Sequence, residues 1–238
     1  MIVSKPYIIS KIRQCTPTVT SFTFKAEDGT SIDFVPGMFA MVEYRNESTG
    51  EKISRAFSIA NAPPTSTLEF LISLIHGKFT SKLDTAKVND KYYISAPYGQ
   101  FKFDVHNEGK LLFLAGGTGI APFMSMIRQI ESIKAETDCK ILYSVKFPDE
   151  IIEKDELERF KQDLGVETIV TVTRPKEGDN WTGETGHADA EMIQKHVPDF
   201  KDRVSYICGP PAFVKALKVA LVGLGVDEKK IKAEMWGE

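Results

Sequence analysis

Four short stretches of the sequence combine side chains and backbone freedom suited to holding phosphates and flat rings. Arg55-Ala56-Phe57-Ser58 sets a cation, an aromatic ring and a hydroxyl within one tetrapeptide. An arginine can bind a phosphate, a phenylalanine can stack on a planar ring, and a serine can hydrogen-bond a ring nitrogen. Strand alternation puts Arg55 and Phe57 on one face and Ser58 on the other, unless a bend turns them together. The same residues also suit an ordinary strand with a surface arginine and a core phenylalanine. Gly77-Lys78-Phe79-Thr80-Ser81 offers a glycine and two hydroxyls at a possible helix start. That is either an anion site or plain N-capping by Thr80 or Ser81.

Gly116-Gly117-Thr118-Gly119-Ile120-Ala121-Pro122 follows an apolar run and precedes a helical pattern. Glycines there let the backbone turn tightly and approach a ligand. The free N–H groups and positive end of the helix suit a pyrophosphate, and Pro122 fits the first helical turn. Pro122 stands where a dinucleotide fingerprint has its third glycine. Cys208-Gly209-Pro210-Pro211 closes another apolar run, which places it at the carboxyl edge of a sheet, where open α/β folds bind ligands. Cys208 alone reads equally as a small buried hydrophobe. No acid stands at Ser144-Val145-Lys146, where a ribose partner is expected. Lys146 is either a 2′-phosphate contact or a solvated charge, so NADH and NADPH both stay open.

These segments need two kinds of scaffold. Up to about Val105, short runs rich in β-branched and aromatic residues alternate with turn signals, as in an antiparallel barrel or sandwich. The runs are Tyr7–Ile9, Val19–Phe24, Phe39–Tyr44, Leu68–Ile75 and Tyr92–Ile94, with Arg55–Ser58 opening a further strand and a helix predicted over Lys78–Val88. From Lys110 the pattern changes to buried strands alternating with helices. Strands are predicted at Lys110–Ala115, Lys140–Val145, Glu167–Val172, Val204–Cys208 and Ile231–Trp236. Helices are predicted at Pro122–Ile133, Asp149–Leu164, Asp189–His196 and Pro211–Leu224. That alternation implies a doubly wound parallel sheet. The expected domains are residues 1–106 and 107–238.

Bulk properties exclude several classes. The 238 residues are 42% hydrophobic and 26% charged, with net charge −3, which argues against nucleic acid or an anionic membrane as partner. No apolar run is long enough to span a bilayer, and the N-terminal stretch lacks signal-peptide features. Cys15, Cys139 and Cys208 lie too far apart for a disulfide framework, a zinc site or an iron–sulfur cluster, so no metal is expected. A cytoplasmic location fits. The histidines, His76 beside Gly77 among them, are scattered and read as surface or packing residues.

In this order the four motifs resemble the ferredoxin–NADP reductase superfamily: R-x-[YF]-S, G-x-x-[ST], G-G-T-G-I-A-P and C-G-P-P. Ala96 to Phe101, Thr173-Arg174-Pro175 and Glu234-Met235-Trp236 match as well, so the resemblance spans nearly the whole chain. It implies an N-terminal flavin-binding barrel and a C-terminal pyridine-nucleotide domain. FAD rather than FMN is the family default, with NADH or NADPH as co-substrate. Arg55 would meet the flavin pyrophosphate, Phe57 would lie against the isoalloxazine, Ser58 would hydrogen-bond near N5, and Ala56 between them counts among the cofactor-binding residues. Gly77, Lys78, Phe79 and Thr80 match the second flavin-phosphate motif. Gly116, Gly117, Thr118, Gly119 and Pro122 would cradle the nucleotide pyrophosphate, with Arg174 on the nucleotide side. Cys208 and Gly209 would flank the nicotinamide, with Pro210 beside them among the cofactor-binding residues, and Trp236 resembles the C-terminal aromatic that covers the flavin. Ser58, Cys208 and Trp236 would thus stand at the chemistry. The implied activity passes electrons from NAD(P)H through FAD to a separate acceptor protein such as ferredoxin. The alternatives are a reductase of free flavin and an electron-transfer subunit of a larger complex.

Overall fold

A computed structural model describes residues 4–75, 77–106 and 108–236. The chain divides into two compact units. Unit 1 comprises residues 1–103 and 124–132, and unit 2 comprises residues 104–123 and 133–238.

Unit 1 is a six-stranded antiparallel sheet. Its strands are β1 (Lys5–Gln14), β2 (Val19–Ala26), β3 (Phe39–Arg45), β4 (Lys52–Ser58), β5 (Thr67–Ser73) and β6 (Lys91–Tyr98), in the order β4-β3-β6-β1-β2-β5. Alternation sends Phe22 and Phe24 of β2, Leu68, Phe70 and Ile72 of β5, and Tyr92 and Ile94 of β6 into one core. The sheet curls until its two outer strands meet through side chains, with the Phe57 ring of β4 6.2 Å from that of Phe70 on β5. A short helix, α1 (Thr80–Asp84), adds Phe79 and Leu83 to the core.

Unit 2 is a six-stranded sheet in the order β10-β9-β8-β7-β11-β12, with every neighbouring pair parallel. The strands are β7 (Lys110–Gly116), β8 (Asp138–Val145), β9 (Glu167–Val172), β10 (Glu184–Thr185), β11 (Val204–Gly209) and β12 (Ile231–Met235). The helices are α2 (Ala121–Ile133), α3 (Lys154–Leu164), α4 (Ala190–His196) and α5 (Pro211–Gly223). β7 is buried from Leu111 to Gly116. Leu112 and Leu114 face α4 and α5 in one cluster, while Phe113 stacks on Phe123 of α2 at 4.6 Å. Successive strands run outward from β7 one way through β8 and the other way to β11. The topological switch point, where such sheets bind ligands, therefore lies between β7 and β11.

Several predicted elements end elsewhere, for local reasons. The helix expected over Lys78–Val88 survives only as Thr80–Asp84, because Asn89 takes a positive φ of 77° and the Asp90 side chain accepts from Lys87 N–H. The helix expected from Asp149 begins at Lys154: Ile151 and Ile152 turn into the core, and Glu153 sits in the left-handed region at φ 54°. The tetrapeptide Arg55–Ser58 closes a strand rather than opening one. The strand expected to Ile75 stops at Ser73, and that expected to Trp236 stops at Met235. The short strand β10 was not legible, since two residues carry no period.

The amino edge of the parallel sheet is tied by Arg203, which is 1% exposed. Its guanidinium donates to Asp199 Oδ1 at 2.9 Å, to Asp138 Oδ2 and Asp199 Oδ2 at 2.8 Å, and to the Leu111 carbonyl at 3.1 Å. The arginine holds the Asp199 carboxyl below its ordinary value of 3.8. A depressed carboxyl contributes stability above its unfolded pKa, and that contribution is lost as pH falls through the folded value. Arg203→Met should therefore cost about 2–4 kcal/mol near neutral pH, in line with breaking one side of a buried pair. The gap should narrow in acid. A denaturant midpoint equal to wild type at neutral pH would show that the two carboxylates need no partner.

Candidate cofactor and nucleotide sites

In unit 1, β4 is an outer strand hydrogen-bonded to β3 alone, so one side of its backbone is unpaired within the sheet. Arg55 is exposed and its guanidinium turns back to donate to the Ser54 carbonyl at 3.1 Å. Ala56 is exposed, while Phe57 and Ser58 are half-buried. The Phe57 ring lies 5.6 Å from that of Phe79, which is 1% exposed. The fold thus brings the first two motifs together: the arginine strand and the Gly77–Thr80 turn meet through two aromatic rings. Phe57 keeps part of its surface outside the core, as a ring-stacking residue needs.

The turn itself is built by hydroxyls. Thr80 Oγ1 accepts the Gly77 N–H at 2.9 Å and donates to the Ile75 carbonyl. Ser81 Oγ donates to the Gly77 carbonyl at 2.9 Å. Thr80 therefore shapes the loop from inside, and no side chain caps the helix; Phe79 occupies the cap position. Gly77 and Lys78 stand exposed at the apex. His76 lies outside the described residues. An exposed arginine on an outer strand, a half-buried ring and an exposed glycine turn are a donor set that fits a flavin with its phosphates.

In unit 2, every candidate from the second half of the sequence lies at the carboxyl edge of one sheet. Gly116 ends β7 and a 3₁₀ turn over Gly117–Ile120 leads into α2, with Gly117 at φ 55°. Gly119 packs on β11 so closely that a Cβ there would lie 2.2 Å from the Cys208 carbonyl oxygen. Pro122 falls at the second residue of α2 and withholds no needed N–H. The N–H groups that open the turn are the natural donors to a pyrophosphate, since Ala121 N–H already donates to the Thr118 carbonyl. Trp236 N–H donates to the Gly209 carbonyl at 3.3 Å, which sets the tryptophan, 37% exposed, beside the Cys208–Pro210 corner. Two strands away, Arg174 N–H donates to the Lys146 carbonyl at 2.9 Å. Both side chains are exposed, at the tips of β9 and β8. The glycine cradle fits a dinucleotide.

Cys208 is fully buried, and burial keeps its thiol well above the ordinary range, so the group is neutral and not nucleophilic. Its neighbour in the β11–β12 register is Glu234, whose carboxyl burial pushes up to about 7. Glu234 falls in a segment that matches the family pattern, where the resemblance implies no role for it. Its neighbours Lys232 and Ala233 give no hint that a glutamate there escapes water. Among the described residues no group of acidic, histidine or cysteine side chains could hold a metal ion.

Fold and sites together define a flavin- and pyridine-nucleotide-binding protein of the oxidoreductase class. An oxidoreductase FAD-binding domain matches residues 6–103 and an oxidoreductase NAD-binding domain matches residues 113–218. Together the two models take in most of the chain, an FAD-binding stretch followed by an NAD-binding one. The chain is 30% identical over 231 residues to the glycine betaine monooxygenase reductase subunit of Pseudomonas aeruginosa. That match takes in 95% of this chain but 63% of the relative, so the chain spans under two thirds of that protein. The FAD/NAD-binding domain of nitric oxide dioxygenase from Vibrio cholerae superposes with a TM-score of 0.88 at 20% identity, over 98% of this chain and 99% of the other. A ferredoxin NADP+ reductase from Neisseria gonorrhoeae, with bound FAD and NADP, gives 0.82 at 23% identity, over 98% of each chain. These two likenesses concern the fold.

A carboxyl whose pKa is raised by folding stabilises the protein fully below its unfolded value, and the contribution is lost as pH rises through the folded value. For Glu234 that window runs from the ordinary 4.5 to about 7. Glu234→Gln should flatten the pH dependence of stability there and, above it, exceed wild type by about 1–3 kcal/mol. Parallel stability curves for the two proteins across this window would show an ordinary solvated carboxylate.

Proposed function

We propose that the chain takes reducing equivalents from NADH or NADPH and passes them, by way of FAD held in unit 1, to a separate one-electron acceptor protein. An oxygenase component or an iron–sulfur protein such as ferredoxin fits that part, and the relative named as a monooxygenase reductase subunit supports it. On this reading the flavin function belongs to residues 1–106 and the nucleotide function to residues 107–238. The observation that carries the reading is the carboxyl edge of unit 2. Gly119 lies against the Cys208 carbonyl there, and Trp236 is tied to Gly209 at the topological switch point. FAD, when bound, supplies the conversion of a two-electron hydride donor into a source of single electrons.

The residues act by holding and orienting. Arg55 and the Gly77–Thr80 turn take the flavin phosphates, Phe57 supports the ring, and the Ser58 hydroxyl hydrogen-bonds near N5. The N–H groups at the opening of the 3₁₀ turn, Gly117 and Thr118, take the nucleotide pyrophosphate. Gly209 and Pro210 flank the nicotinamide, and Trp236 screens its place until it arrives; buried Cys208 shapes that wall by size alone. No helix among the described residues is long and apolar enough to cross a membrane. A cytoplasmic setting is supported by Cys139 and Cys208, which are buried free thiols.

The purified protein should be yellow, and anaerobic NADH or NADPH should bleach it. A colourless protein that reduces added flavin would favour free flavin as substrate. A yellow protein inert towards ferricyanide would favour a subunit that works only within a complex. Ser58→Ala should slow flavin reduction in stopped flow by about tenfold, the worth of one hydrogen bond made in the transition state. An unchanged rate would remove Ser58 from the chemistry.

Lys146 and Arg174, two exposed cations at adjoining strand tips with no acid at the end of β8, favour acceptance of a 2′-phosphate. Lys146→Glu should therefore lower kcat/KM for NADPH about tenfold or more relative to NADH, as a charge reversal of some 1–2 kcal/mol implies. Equal losses for both coenzymes would count against a phosphate contact.

A further inference from the structure

Directly after Ser58 the chain runs Ile59-Ala60-Asn61 before returning as β5, and this exit is held from several sides. Ile59 and Ala60 are wholly buried. Ile59 N–H donates to the Met38 carbonyl at 3.1 Å, and Ala60 N–H donates to the Glu69 carbonyl at 2.9 Å. The two carbonyls that follow are met by α2. Arg128 Nη1 donates to the Ala60 carbonyl at 2.9 Å, and Ser125 Oγ donates to the Asn61 carbonyl at 2.8 Å. Ser125 and Arg128 are three residues apart, on one face of the helix, in the stretch that belongs to unit 1.

Arg128 makes a second contact, 2.7 Å from its Nη1 to Glu69 Oε2 on β5. The other carboxylate oxygen accepts from Ser21 Oγ at 2.6 Å and lies 3.5 Å from Arg13. The side chains of Arg128 and Glu69 are 16% and 17% exposed. An ion pair this far from water gains little net stability, because desolvation offsets attraction. What it fixes is geometry: one guanidinium holds the exit of β4 and the middle of β5 together. β4 needs such a fixture, because in the sheet it is hydrogen-bonded on one side only.

We propose that Arg128 is a positioning residue for the flavin strand. By holding the Ala60 carbonyl two residues beyond Ser58, and Glu69 beside it, Arg128 sets the register in which Arg55 to Ser58 meets FAD. This rests on the reading of unit 1 as the FAD-binding unit. Without the guanidinium the strand exit can shift, and displacements of about an ångström at a positioned reactant cost up to a hundredfold in rate.

The test uses the full chain, stripped of flavin and titrated with FAD, as wild type, Arg128→Met, Arg128→Lys and Ser125→Ala. Three readouts are taken: the FAD dissociation constant from fluorescence quenching, the visible circular dichroism of the bound flavin, and the rate of flavin reduction against KM for the coenzyme. Arg128→Met should weaken FAD binding, slow reduction about tenfold or more and alter the dichroism, with KM unchanged. Arg128→Lys, which keeps a cation able to reach either acceptor, should recover most of the loss. Wild-type affinity, dichroism and rate in Arg128→Met would overturn the proposal, even if its melting temperature fell, since that is what a merely structural arginine would do. Should Arg128→Met fail to fold, Arg128→Gln takes its place, and flavin dichroism identical to wild type in both it and Ser125→Ala would equally overturn the proposal. A wild-type chain that takes up no FAD would instead refute the flavin assignment, and so separates the two failures.

Discussion

The nucleotide half of the molecule depends on one close approach of backbone to backbone. Where β7 gives way to α2, Gly119 lies against the carbonyl end of β11, with no room for even one side-chain carbon. Gly116 and Gly209 pack on the Phe213 ring just beside it. This contact lets the turn and the helix after it start at the switch point. It also brings the Cys208–Pro210 corner and Trp236 to the same edge, though they stand far from the glycines in sequence. A side chain at Gly119 would push apart the two strands whose separation defines the crevice.

The flavin half is organised by aromatic rings instead. Phe57 is held by Phe70 and Phe79, and Phe79 in turn packs on Tyr92. A residue expected to serve the cofactor thus also closes the curl of the sheet. That double duty is physically consistent, because a half-buried ring packed on core aromatics is held rigid where it stands. The polar side of the strand is handled separately, through the buried Ile59–Ala60 exit and the half-buried Arg128–Glu69 pair. Opposite ends of unit 2 show the same economy. The amino edge is tied by charge through Arg203, Asp138 and Asp199, which leaves the carboxyl edge to glycine turns.

Much of this was legible in the residues. The continuous apolar run at Lys110–Ala115 announced a strand buried on both faces, and glycine punctuation fixed where the first helix of the parallel sheet begins. What failed were helix ends. Asp149–Leu164 looks continuous by charge pattern, but two isoleucines gain more from the core than from the helix, and Glu153 takes a left-handed turn to let them in. Lys78–Val88 has helical composition, yet five residues cannot extend against an Asn89–Asp90 turn already closed by side-chain bonds.

The motifs, their order and the change from antiparallel to alternating architecture can be read along the chain, because turn chemistry and hydrophobic period are local properties. Which motifs meet emerges only in the folded chain: the arginine strand with the Phe79 turn, the first glycine loop with Cys208, and Gly209 with Trp236. The fold alone decides that Glu234 titrates near neutrality, that Thr80 serves its own loop and that Arg128 grips the exit of β4. Burial, proximity and charge environment arise between residues distant in sequence, so no window along the chain contains them.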